Sequence, residues 1–210
     1  MRQLARSDRT ESHLSFAFKD GSQHEETTTF TERDVFRLVS YRVRQRGRSF
    51  PTQLEASLDA SGQYRVASRE GDEAEKVDEG RVELPDDIAN GLVLLLVKNL
   101  AKGESETVHV VAFGPKPRLV GLKLVPDGDE PILVAGAKKT ATRYAGRPDL
   151  GALDAVAKVV GKHPPDYHFW LYRSEPPGFL AAAGPLYPGG PVWRIELTTA
   201  TWPSARSPRS

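Results

Sequence analysis

About ten short runs along this chain alternate apolar and polar residues, and that alternation limits the possible folds more than any other feature. In the last run Trp193, Ile195 and Leu197 point one way while Arg194, Glu196 and Thr198 point the other. Side chains on a strand change sides at every residue, so each run is half buried and half wet. Repeated down a chain, the pattern predicts antiparallel sheet.

The first run holds Leu14, Phe16 and Phe18 on one face, and Asp20-Gly21 marks a hairpin turn after it. A Thr-rich return strand follows from His24 to Thr31. Further strands are expected over Val35 to Arg44, Gln53 to Leu58 and Gln63 to Ser68, the last two around Ser61-Gly62. The acidic stretch Glu70 to Glu79 reads as a hairpin loop or a solvated edge. Strands resume over Thr107 to Phe113, Arg118 to Val125, Pro131 to Ala135 and Lys139 to Ala145. Pro126-Asp127-Gly128-Asp129 is the expected turn between two of these. The closing strands are Asp166 to Arg173, Phe179 to Ala183 and Val192 to Thr199.

Two helices interrupt the pattern. Pro85 suits a first helical turn, and Asp86 and Asp87 would complement the positive end of the helix dipole. Ile88, Leu92, Leu95, Leu96 and Asn99 then keep helical spacing, with a stop at Gly103. Val93, Leu94 and Val97 make this helix apolar on most sides, so it should be wrapped by sheet or plug one. A second helix is expected from Asp149 to Val160, ended by Gly161 and Pro164-Pro165. The predicted fold is mainly β (α+β): a strongly curved antiparallel sheet, half-barrel or barrel-like, with two helices packed on or in it. Residues 12–203 are expected to form one domain, 1–11 a frayed lead and 204–210 a disordered tail.

At 210 residues the chain needs no staple, because a domain of this size buries roughly 70% of its surface on folding. It has no Cys, so disulfides and thiolate metal sites are excluded. Lys and Arg total 29 against 28 for Asp and Glu, a balance that does not favour nucleic acid. The residues after Met1 lack the apolar core of a signal peptide, so the chain as written is expected to carry no address. The longest apolar run, Leu92 to Val97, falls far short of the ~20 residues of a membrane-spanning helix.

The motifs that encode nucleophile elbows, phosphate loops, dinucleotide turns and zinc-binding helices are all missing. Neither a cofactor nor a catalytic residue is expected, and the chain reads as a binding protein. His163, Asp166 and His168 could offer two imidazoles and a carboxylate to a metal, or a carboxylate-oriented base. Such a metal or hydrolytic site around Asp166 and His168 is a minor alternative to a Pro-Pro turn that leads into an edge strand. Arg42, Arg44, Arg46 and Arg48 recur at period two and could grip phosphates or carboxylates of a partner. Charged stripes of this kind also guard solvated edges, and aromatic interleaving for nucleic acid is thin, with only Tyr41 and Phe50 nearby.

The segment Tyr167 to Tyr172 is apolar on both faces. Tyr167, Phe169 and Leu171 can enter the main core, leaving His168, Trp170 and Tyr172 on the other side, to be covered by a helix, a partner or a ligand. An apolar or lipid-like ligand is expected against Trp170, Tyr172 and His168, with Leu92 and Leu96 of the helix completing the lining. The alternative is a structural or protein-interaction module without a small-molecule ligand.

Leu84-Pro85-Asp86-Asp87-Ile88-Ala89-Asn90-Gly91, Lys139-Thr140-Ala141-Thr142-Arg143-Tyr144, Gly161-Lys162-His163-Pro164-Pro165-Asp166, Gly184-Pro185-Leu186-Tyr187 and Gly190-Pro191-Val192-Trp193-Arg194-Ile195-Glu196-Leu197 together resemble an uncharacterised bacterial family of predicted exported, β-rich proteins. The resemblance runs from about Ser12 to Pro203. It implies an envelope-associated protein, a possible envelope partner and no catalytic residues. Members of that family begin with a signal peptide and a further strand or two, whereas this chain starts partway in. A periplasmic location is therefore expected only with an upstream signal peptide.

Overall fold

The alternating runs become strands, each paired antiparallel with its neighbours. The computed structural model describes residues 1–6, 8–32, 35–114, 116–134, 136–149, 151, 164–173 and 178–197. The first sheet is a seven-stranded meander in chain order: β1 (Arg2–Arg6), β2 (Arg9–Ala17), β3 (Gln23–Thr31), β4 (Arg37–Arg46), β5 (Thr52–Asp59), β6 (Gln63–Glu70) and β7 (Lys76–Arg81). A helix, α1 (Val93–Asn99), then leads to a six-stranded meander: β8 (Glu106–Ala112), β9 (Arg118–Val134), β10 (Ala137–Asp149), β11 (Tyr167–Tyr172), β12 (Gly178–Pro185) and β13 (Val192–Glu196).

The fold is thus mainly β, but the expected half-barrel is not formed. The strands divide into two separate sheets, and neither closes nor curls strongly. One main core collects the inner residues of both sheets. Phe30, Tyr41, Val43 and Leu58 come from the first, and Leu122, Leu124, Tyr144, Phe169 and Leu171 from the second. Ile88, Leu92, Leu95 and Val97 join the same core.

Three other expectations change, and a fourth falls mostly outside the described residues. Residues 1–11 include β1 and the start of β2, which pair from Arg2 opposite His13 to Arg6 opposite Arg9. The helix is only seven residues long, and Pro85, Asp86 and Asp87 lie ahead of it. Helical spacing over Ile88 to Leu92 is overridden by backbone pairing to β8. The Ala89 amide donates to the His109 carbonyl at 2.7 Å and the His109 amide to the Asp87 carbonyl at 3.2 Å. The Asn90 side chain continues the pairing, exchanging hydrogen bonds of 2.7 and 2.9 Å with the Val111 backbone. Gly91 then turns the chain at φ +69°, where an added Cβ would stand 1.9 Å from Thr28 Oγ1. The outer edge of β8 is therefore covered by the chain itself.

Pro126 to Asp129 does not reverse the chain. It lies inside the single seventeen-residue strand β9. Pairing passes from Pro126 opposite Tyr144 to Asp129 opposite Thr142, so Asp127 and Gly128 together face Arg143. This is a β-bulge, made easy by Gly128 at φ +87°. The last expectation, a second helix over Asp149 to Val160, lies mostly outside the described residues. Asp149 itself ends β10.

At its far end α1 is fastened to the second sheet. Arg173, just past β11, donates to the carbonyls of Leu100 at 2.7 Å and Lys98 at 3.2 Å. A cation there suits the negative end of the helix. Among the described residues no helix is long and apolar enough to cross a membrane.

Candidate functional site

The two sheets share a core, so each also has an outer face, and the two outer faces differ. On the second sheet the expected division of β11 is what the structure shows. Tyr167, Phe169 and Leu171 belong to the main core, whereas Trp170 and Tyr172 lie in a separate outer cluster with Ile132, Ala141, Leu180 and Ala181. The β9 bulge supplies part of this cluster. An extra residue reverses the alternation beyond it, so Leu122 and Leu124 face the main core but the even-numbered Ile132 and Val134 face outward.

That cluster is shut. Trp170 is 5% exposed. Its indole N–H donates to Glu130, and the Arg194 guanidinium lies 4.4 Å from the ring centroid. Glu130 also pairs with Arg143 at 3.2 Å, and Asp127 meets the same arginine at 2.9 Å. Two carboxylates, two guanidinium groups and aliphatic side chains thus close over the indole. Lys139 sits over the Tyr172 ring at 5.4 Å. The expected ligand lining is also split between clusters: Leu92 and Leu96 pack on the main core, apart from Trp170 and Tyr172.

The residues of the Asp166–His168 alternative have other neighbours. Asp166 faces Arg147 at 3.7 Å, while His168 lies 6.0 Å from the Trp170 ring with its Nδ1 buried and unpartnered. His163 lies outside the described residues. Among the described residues no group of three or more His, Cys, Asp or Glu could hold a metal ion.

The outer face of the first sheet is open and polar. A depression of about 880 Å³ crosses it, lined among others by Thr27, Thr29, Ser40, Arg42, Ser57 and Arg65. One cross-strand row takes a residue from every strand: Arg2, His13, Thr27, Arg42, Ser57, Arg65 and Glu79. Strands lie about 4.8 Å apart, so successive residues of the row are neighbours.

The register separates the four arginines of the expected stripe. Arg44 lies between Glu25 and Glu55, and Arg46 donates to Gln23 at 2.8 Å. Arg48 is in the turn beyond the strand. Arg42 alone lines the depression. Its direct neighbours are the hydroxyl residues Thr27 and Ser57, and it makes no hydrogen bond or ion pair with a described residue.

The carboxylates around it are engaged. Glu79 pairs with Arg65 at 3.0 Å and Glu11 with His13 at 2.6 Å. Asp59 accepts from the Ser61 hydroxyl at 2.7 Å and from the backbone amides of Ser61 and Gln63. The Ser61 hydroxyl bond leads the causes that hold the Asp59 carboxyl below its usual range, with Arg81 adding to it. Burial, aided by a hydrogen bond to Asp78, pushes the Tyr64 phenol above its usual value. Sequence spacing picked out the arginines but not this row. The available signal was the Thr-rich β3, whose odd-numbered hydroxyls register beside β4.

Comparison with family models, curated proteins and solved structures finds no match, so the origin and export implied by the family resemblance gain no support.

Proposed function

We propose that this chain is a binding module that docks an acidic segment of a partner protein on the outer face of its first sheet. The observation that carries the reading is Arg42, an exposed guanidinium between two hydroxyl residues in a broad depression, with no carboxylate partner among the described residues. A planar guanidinium offers two parallel N–H donors to one carboxylate, and Thr27 and Ser57 add hydroxyl donors beside it. Glu11, Asp59 and Glu79 around the rim disfavour a multiply charged phosphate more than a single carboxylate. The breadth of the depression, from β2 to β7, suits an extended polymer better than a compact ligand. This reading belongs with the interaction-module alternative rather than with the expected apolar ligand, because Trp170, the centre of that expected lining, is buried.

The test is fluorescence anisotropy of a labelled poly-glutamate peptide titrated with the full chain, at low and moderate salt. Arg42→Ala should weaken binding roughly ten-fold, because a charge-assisted hydrogen bond is lost. Arg44→Ala, removing a guanidinium already between two glutamates, should change it far less. Equal losses in the two variants, or tighter binding of polyphosphate than of poly-glutamate, would overturn the assignment.

A further inference from the structure

His24 and Gln45 face each other across β3 and β4, both buried, where the first sheet meets the loop between β12 and β13. His24 Nε2 stands 2.8 Å from a Glu26 carboxylate oxygen, and its Nδ1 stands 2.9 Å from the Gln45 side-chain nitrogen. That same nitrogen is 2.7 Å from the Leu186 carbonyl oxygen.

These contacts fix the protonation of the ring. A carbonyl oxygen only accepts, so the Gln45 atom beside it is the NH2 group. That group only donates, so Nδ1 is bare and accepts its other hydrogen. The ring's one proton is then on Nε2, which donates it to Glu26. His24 is therefore neutral, and the Gln45 amide uses one hydrogen on the ring and one on the loop.

Among the described residues Glu26 is the one charged group paired with His24. It also accepts from the Tyr41 phenol of β4 and lies near that of Tyr167 of β11. From β2 the ring meets Phe16, stacked with centroids 5.6 Å apart, and from the turn after β4 it meets Phe50 at 6.3 Å. Phe50 in turn meets Tyr187 of the loop at 5.8 Å.

A second proton on the ring would point Nδ1–H at the NH2 group, donor against donor. Turning the amide over offers the imidazolium an oxygen, but that oxygen then faces the Leu186 carbonyl, acceptor against acceptor. We infer that His24 is a proton-operated latch between the two sheets: neutral, it lets Gln45 hold the β12–β13 loop; protonated, it takes the Gln45 oxygen and frees the loop. The held form binds one proton fewer than the freed form, so acid favours release. Release is local, because Phe18 and Trp193 of β13 still meet at 4.7 Å. The latch is on the core side of β3, whereas Thr27 and Arg42 are on the outer side, so it stands independently of the docking face.

The experiment is NMR of the full chain between about pH 8 and pH 5, the range in which histidines change charge. The His24 ring nitrogens, the Gln45 side-chain amide and the Leu186 carbonyl should shift with one midpoint. Across that midpoint the Gly190 amide, bonded to the Tyr187 carbonyl within the loop, should lose protection from hydrogen exchange roughly ten-fold once the intrinsic effect of pH is removed. The Gly62 amide in the β5–β6 turn should keep its protection. Gln45→Met, which keeps side-chain length without the amide, should leave Gly190 weakly protected at both ends of the range. Four results would overturn the inference: a ring that stays neutral throughout, a ring that takes the proton while Gln45 and Leu186 stand still, an equal loss of protection at Gly62, or a loss at Gly190 that Gln45→Met reproduces in full.

Discussion

The outer faces of the two sheets begin from the same rule and end in opposite conditions. Each is built from alternate residues of antiparallel strands. On the second sheet an indole is covered by Glu130, Arg143 and Arg194, whereas on the first a lone guanidinium sits among hydroxyls in an open depression. Charge on a sheet surface therefore does two jobs in this protein. Around Trp170 it completes a local core, and around Arg42 it is left over for something else. The difference lies in what each charge already touches rather than in how many charges there are.

Substitutions can break that contrast. The largest effect is expected at Trp170. Trp170→Ala should cost about 3–5 kcal/mol in urea unfolding, as truncation of a buried aromatic does, whereas Arg42→Ala should stay within about 0.5 kcal/mol. Comparable losses from the two would erase the distinction between a sealed and an open face.

A smaller contrast compares two carboxylate–guanidinium pairs. Glu130→Gln removes a charge from a part-buried network that also holds the indole, and should cost about 1–2 kcal/mol. Glu79→Gln, opposite Arg65 on the open face, should be almost silent, as exposed pairs usually are. A thermal-melt series of both variants reads the difference directly.

The smallest effect is a slope with pH. Burial, then the charge of Glu26, raises the Tyr41 phenol well above its ordinary value. Its contribution is thus fully present below about pH 10, where the unfolded chain also keeps the proton, and is lost as pH rises toward the folded value. Between about pH 9 and pH 11 the urea midpoint should fall less for Tyr41→Phe than for the parent chain. Tyr167, also raised by burial, keeps its own share of the slope in both proteins. Parallel midpoints would mean that Tyr41 ionises as freely folded as unfolded.

Much of the local structure was legible in the residues. The Asp20-Gly21 and Ser61-Gly62 turns fall between paired strands, and the acidic stretch Glu70 to Glu79 covers the turn after β6 and most of the edge strand β7. Errors arose where a local signal met a long-range ladder. Pro126 and Gly128 carry turn chemistry, yet β10 holds both flanks in one ladder and the signal becomes a bulge. Ile88 and Leu92 keep helical spacing, yet β8 captures the backbone of Asp87 and Ala89. The arginine stripe was visible as a pattern, but its one unmatched member was not, because its neighbours lie fifteen residues away in sequence on both β3 and β5.

Period-two alternation by itself determined that Phe169 and Leu171 part from Trp170 and Tyr172, because side-chain direction along a strand is a local property. Whether each face is closed or open was decided only by the tertiary structure. Cover comes from cross-strand register and from one bulge that reverses the facing of β9. Both depend on residues far apart in the chain, where local periodicity carries no information.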